Sequence, residues 1–357
     1  MTAKALNRLH NALHLGKLAL CLVVVNGILP ERASADDLRV VPSRVELSGH
    51  GDRVGLLVDL CNENTEMGPR YSDVTGQAIY RSSDPELFSV DDRGVVHSHS
   101  NGRGTLTVEY LDHQVAIPVI VQTASVRRDY HFERDIIPLL SKFGCNSSGC
   151  HGKAEGQNGL KLSVFGYDPS ADHDALTKQG RGRRTSTTAP ATSLLLTKAS
   201  GGLPHGGGVR IVQGSREYTR ILQWIHAGTP VGSDDAPMIT RIELQPEDRS
   251  LEMRWLQQLR VRAVYSDGSS EDVTAIATYQ VNNAGLAHVD EQGLITIGEH
   301  AGQVAVMASY MGQVATFQAL IPQQAHSIAD AEYPVRNAID HQVNRQLRRL
   351  RIVPSAR

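Results

Sequence analysis

Residues 259–274 read Leu259-Arg260-Val261-Arg262-Ala263-Val264-Tyr265-Ser266-Asp267-Gly268-Ser269-Ser270-Glu271-Asp272-Val273-Thr274. Leu259, Val261, Ala263 and Tyr265 alternate with Arg260 and Arg262, the two-residue period of a strand with one buried face. Ser266-Asp267-Gly268 then supplies the residue types that close a turn. The same pattern occurs earlier in the chain. At an offset of 199 residues, Asp272-Val273-Thr274 matches Asp73-Val74-Thr75, Tyr279 matches Tyr80, Val289-Asp290 matches Val90-Asp91, and Gly293 matches Gly94. Val304, Val306, Ala308 and Tyr310 alternate in the second copy, as do Leu106, Val108 and Tyr110 in the first. Short strands broken about every 8 to 12 residues by turn formers read as a β-sandwich. No long helical pattern fits either copy. Asp267 and Asp272 read as solvated turn residues rather than calcium ligands.

The chain has 357 residues, enough for two or three domains at about 150 each. Its 36 Lys and Arg against 38 Asp and Glu leave a net charge of -2, so no overall positive field attracts nucleic acid. Apolar residues at 40% and charged residues at 21% exclude disorder by composition. Lys4, Arg8 and Lys17 precede an apolar run from Leu18 to Leu29, followed by Ala33-Ser34-Ala35. This is the layout of a secretory signal peptide over 1–35. About 12 apolar residues fall short of the roughly 20 that a bilayer span needs. The mature chain is therefore expected to be exported, to the periplasm or cell surface, with no transmembrane span.

Between the two copies, Cys145-Asn146-Ser147-Ser148-Gly149-Cys150-His151 reads as C-x4-C-H. The commoner C-x-x-C-H attaches haem through two thioethers, with the adjacent His beneath the iron. A longer loop keeps the contiguous Cys-His pair that this chemistry needs. Cys145 and Cys150 are thus candidate thioether residues of covalently bound haem c, and His151 the proximal iron ligand. No Met lies between Arg128 and Pro237, which removes the usual second ligand. Of His131, His151, His173, His205 and His226 in this segment, His205 sits in the loop Leu203-Pro204-His205-Gly206-Gly207-Gly208 and is the candidate distal ligand. Two other chemistries suit the same residues: a Cys145–Cys150 disulfide, and zinc held by Cys145, Cys150, His151 and His205. Arg181, Arg183 and Arg184 are placed to meet haem propionates or solvent, and Tyr167 and Trp224 to pack on a porphyrin or in an ordinary core.

Phe132, Ile136, Ile137, Leu139, Leu140 and Phe143 predict a short amphipathic helix ending at Gly144. A second is expected after Ser215 as N-cap, with Tyr218, Ile221, Leu222 and Ile225 on one face. A helix leading into the attachment motif and a terminal one bearing Leu222-Gln223-Trp224-Ile225 resemble the frame of a small cytochrome c.

The stretch Ile239 to Ile321 resembles the bacterial immunoglobulin-like group 2 domain, on Val264 to Ser269, Asp272-Val273-Thr274, Val289 to Gly293 and Gly302 to Tyr310. Leu38 to Thr123 is a divergent copy whose Cys61 to Arg70 stretch replaces the short turn by a longer polar loop. Phe132 to Pro230, with Gly149-Cys150-His151-Gly152, Gly166-Tyr167-Asp168-Pro169 and Trp224-Ile225, is similar to the cytochrome c-like domain of large planctomycete surface proteins. In them it accompanies immunoglobulin-like domains and a large C-terminal domain of unknown function. Val335 to Ser355 resembles the beginning of that last domain.

The resemblance implies a multidomain chain of all-β immunoglobulin-like sandwiches flanking a mainly α cytochrome c-like domain. The expected divisions are a signal peptide at 1–35, sandwiches at 36–124 and 238–323, a haem domain at 128–232, and a helical stub of a truncated domain at 333–357. The function expected is one-electron transfer by an exported haem protein, an electron carrier rather than an enzyme, with no catalytic residues. Its partner is a redox protein or another electron donor or acceptor, or a cell-surface component. The alternative is a structural or adhesive surface protein whose Cys145–Cys150 pair is a disulfide and which carries no haem.

Overall fold

A computed structural model describes residues 37–49, 51–62, 70–124, 129–323 and 333–354. The expected signal peptide lies outside the described residues. Two β-sandwiches flank a middle segment, and they are built alike. In the first, a four-stranded sheet runs in the order Val45–Ser48, His113–Gln122, Gly102–Tyr110, Ile79–Ser82. In the second the order is Asp248–Ser250, Gln313–Ile321, Gly302–Tyr310, Thr278–Val281. In each sheet the first strand is parallel to its neighbour and the other pairs are antiparallel. Alternation sends Leu106 and Val108 inward in one copy and Val304, Val306 and Ala308 inward in the other, all fully buried.

The repeated residues tie each sandwich together in the same way. Thr75 Oγ1 accepts from the Val58 N–H and Thr274 Oγ1 from the Val261 N–H, both at 2.9 Å. The Tyr80 and Tyr279 hydroxyls donate to the Thr75 and Thr274 carbonyls, both at 2.8 Å. Gly94 and Gly293 sit beneath those tyrosines at φ +73° and +78°, where a Cβ would lie 2.7 and 2.9 Å from the hydroxyl oxygens. Left-handed backbone and this close approach both require glycine.

The middle segment corrects the expectation of a mainly α cytochrome c-like domain. Its α-helices are Ile137–Lys142, Pro169–Thr177, Leu194–Ala199 and Arg216–His226, separated by single turns and irregular chain. The described structure as a whole is dominated by six β-sheets. Glycines in left-handed conformation at 144, 156, 159, 166, 180 and 182 explain why no long helix propagates here. The two predicted helices do form. Ser215 caps the second by accepting from the Tyr218 N–H at 3.2 Å. Phe132, Ile136, Leu140, Ile221, Trp224 and Ile225 are buried and continue into the core of the second sandwich, whereas the first sandwich has a core of its own. Lys142 reinforces the junction by donating to the carbonyls of Ala277 and Glu291 at 2.8 and 2.9 Å.

The two sandwiches meet through reciprocal polar contacts. Asp272 Oδ2 accepts from the backbone N–H of Gly55 at 2.6 Å, and Asp73 Oδ2 accepts from that of Gln258. Asp73 matches Asp272, and Gly55 and Gln258 end matching strands, Arg53–Gly55 and Leu256–Gln258. The contact is therefore pseudo-twofold: each carboxylate reaches the equivalent N–H of the other copy. Arg260 breaks the symmetry. It crosses to the first sandwich, where its Nε donates to the Leu56 carbonyl at 3.0 Å and its guanidinium also meets the Arg93 carbonyl. The equivalent carbonyls of the second copy, Leu259 and Gln292, are served locally by the Gln258 side chain, each at 2.8 Å. Gly55 makes room for the crossing, because a Cβ there would lie 2.6 Å from Arg260 Nε. Arg249 adds an ion pair to the buried Asp59 at 2.7 Å.

The tail, expected to be a helical stub, contains helix Ala338–Arg349, started by an Asn337 capping box. Among the described residues no helix is long and apolar enough to cross a membrane.

Candidate functional site

Cys145 begins where the first middle helix ends, its N–H donating to the Leu140 carbonyl at 2.8 Å. The loop then folds back on itself. Cys150 N–H donates to Ser147 O and His151 N–H to Cys145 O, both at 3.0 Å, which brings the two ends of the C-x4-C-H motif together. Gly152 follows because the backbone doubles back: a Cβ there would lie 2.2 Å from the Asn146 carbonyl oxygen. The loop opens into a cavity of about 480 Å³ lined by Cys145, Cys150, His151 and His205 together with leucines and basic side chains.

The imidazoles of His151 and His205 lie nearly parallel, with an angle of 9° between planes and 6.3 Å between centroids. Each is oriented by its own backbone contact: His151 Nδ1 is 3.1 Å from the Leu160 carbonyl and His205 Nδ1 is 3.0 Å from the Gly208 carbonyl. A carbonyl accepts only, so Nδ1 carries a proton in both rings. Burial, assisted by the neighbouring His205, lowers the pKa of His151 and favours its neutral form. Burial also pushes the Cys145 thiol up to about 11. A thiol held protonated is a poor nucleophile, so Cys145 is not poised for thiolate catalysis.

All four predicted site residues therefore reach one cavity. The other expectations for the segment fare differently. Trp224 is fully buried, packs against Phe132 and His173, and donates from Nε1 to the Pro230 carbonyl at 2.9 Å, which makes it a core residue. Tyr167 is 92% exposed. Arg183 and Arg184 line the cavity and Arg181 does not. Lys198 and Arg210 also line it, and sequence reasoning missed both. Their only sequence signal is that each follows an apolar or glycine-rich stretch containing other lining residues. Cys61 is buried in the first sandwich.

Covalently bound haem c is corrected. Among the described residues no group of three or more His, Cys, Asp or Glu side chains is placed to hold a metal ion. The mainly α frame that the resemblance implied is also replaced by short helices in a β-dominated chain. Haem, iron, metal binding and electron transfer are withdrawn with it. The shared ambiguity of the motif is the physical reason: a Cys pair and an adjacent His have the same spacing whether they meet a porphyrin, a metal or each other.

No family model matches the chain, and no curated protein matches it. The planctomycete resemblance is corrected on these grounds, together with the lack, among the described residues, of any side-chain group placed to hold a metal ion. The solved structures similar to the chain are surface-layer and immunoglobulin-like tandems. Domains 5–6 of the S-layer protein SbsC share 11% identity at a TM-score of 0.31, covering 80% of this chain and 98% of that one. The longer S-layer fragment rSbsC(31-844) shares 10% identity at a TM-score of 0.22, covering 82% of this chain, which spans 29% of that fragment's length. Extracellular domains 3–5 of Drosophila OTK share 9% identity at a TM-score of 0.17, covering 81% of this chain and 66% of that one.

Proposed function

We propose that the chain is an exported structural component of a cell surface, in which the two sandwiches form a stiff spacer and the Cys145–Cys150 pair is joined as a disulfide. The reciprocal contact between the sandwiches is the observation that carries the reading. Carboxylates of each copy hold backbone N–H groups of the other, and Arg260 crosses between them. A tandem of flexible beads has no need of such contacts, whereas an element that sets distance or bears tension does. The closed 145–151 loop supports the disulfide, since its two ends are already drawn together by the His151 to Cys145 backbone bond at 3.0 Å. In an oxidising exported compartment the two thiols pass two electrons and two protons to an exchange disulfide.

The test uses the full chain expressed with its own N-terminus in a bacterial host. Surface protease treatment of intact cells is expected to digest it, and intact mass without reductant to be two hydrogens below the reduced mass. A chain retained inside the cell contradicts the surface reading. Two alkylatable thiols at Cys145 and Cys150 in the exported protein contradict the disulfide.

A further inference from the structure

The cavity beside the Cys145–His151 loop has a composition that the structural reading does not use. Its walls are apolar, formed by Leu140, Leu160, Leu162, Leu176, Leu194 and Leu195. Four permanent cations, Arg183, Arg184, Lys198 and Arg210, also line it, and no Asp or Glu does. Two of the four already serve the protein. Arg184 donates to the Ala175 and Gly159 carbonyls, and Lys198 donates to the Pro204 carbonyl at 3.0 Å. Arg183 and Arg210 are exposed, and their side chains have no hydrogen-bond or ion-pair partner among the described residues.

We propose that this cavity binds an organic anion with an apolar body, its carboxylate held by Arg183 and Arg210 and its body lodged against the leucine walls. The volume of about 480 Å³ lies within the range of small-molecule sites. A cationic ligand is disfavoured by four like charges with no countercharge. A sugar-like ligand would lose many hydrogen bonds to water against leucine walls. An amphiphilic acid satisfies both halves, because guanidinium pairs carboxylate in a fixed planar geometry while the leucines gain from losing water. His151 and His205 bring no negative charge to the cavity, so they leave the anion preference intact. The inference is independent of the spacer reading, and its failure would leave the contact between the sandwiches untouched.

Calorimetric titration of the full exported chain with decanoate, and with 1-decanol as the uncharged isostere, tests it. One saturable decanoate site per chain is expected, with decanol at least tenfold weaker. Arg183→Gln with Arg210→Gln is expected to bring decanoate down to the affinity of decanol and to leave decanol unchanged. Gly206→Trp is expected to block both ligands. Gly206 lines the cavity, and a Cβ there meets nothing within 4 Å, so the bulky residue is tolerated by the backbone. Unchanged melting temperatures establish that these variants fold; if Gly206→Trp alone melts early, the arginine pair decides. Absence of a saturable decanoate site, equal affinity for acid and alcohol, or decanoate binding unaffected by the arginine pair overturns the proposal.

Discussion

Replacing Arg260 by alanine is expected to destabilise the docking of the two sandwiches by about 3–5 kcal/mol, the range for removing one partner from a buried charge network. Arg260 is 9% exposed and sits near both interface carboxylates, Asp73 and Asp272. Its loss leaves the Leu56 and Arg93 carbonyls without their donor and removes a nearby positive charge from Asp73 and Asp272. An unpaired buried polar group costs about 1–3 kcal/mol by itself, so the several groups orphaned here account for the size of the effect. The readout is calorimetric. The wild-type chain is expected to unfold the first sandwich together with the rest. Arg260→Ala is expected to release it as a separate transition at lower temperature, because its core is distinct from the one shared by the middle segment and the second sandwich. A single unshifted transition in the variant would show that the contact carries no stability.

Trp224→Ala is expected to cost about 3–5 kcal/mol for a different reason, the cavity left by a large buried aromatic. Trp224 is fully buried, with ring centroids 5.4 Å from Phe132 and 6.2 Å from His173. Its Nε1 also serves the Pro230 carbonyl, which fixes the chain as it leaves the last middle helix. Because that core continues into the second sandwich, Trp224→Ala is expected to move urea unfolding of the middle segment and second sandwich to lower concentration, so that the first sandwich, whose core is separate, unfolds after them instead of with them. Trp224→Phe should cost less, since it keeps most of the packing and loses the hydrogen bond. Equal losses for the two variants would mean that the hydrogen bond, rather than ring packing, dominates.

Those two residues also mark what sequence reading can and cannot reach. The sandwiches are legible because Thr, Tyr and Gly recur at one offset and each acts within its own copy. Thr274 accepts from Val261, Tyr279 donates to Thr274, and Gly293 lies under the ring. The contact between the copies is not legible. Gly55 and Gln258 donate through backbone N–H groups, which leave no trace in side-chain identity. They also lie at an offset of 203 rather than 199, on the far side of the loop whose length differs between copies. Asp272 reads as a solvated turn residue for the same reason, although its carboxylate reaches the other sandwich. In the middle segment, the spacing of Cys145, Cys150 and His151 and the loop around His205 do find the cavity. They do not name its occupant. Arg210 and Lys198, which give the cavity its charge, look like ordinary surface cations until the loops around them fold together.

Amide hydrogen exchange at Gly55 and Gln258 in the full chain tests the pairing of the sandwiches most directly. Each N–H is held by a carboxylate of the other copy, Asp272 for Gly55 and Asp73 for Gln258. Slow exchange is expected at both in the wild type, with Asp272→Ala accelerating Gly55 and Asp73→Ala accelerating Gln258. Rapid exchange at both positions in the wild-type chain, at the rate of an open peptide, would contradict a stiff paired body.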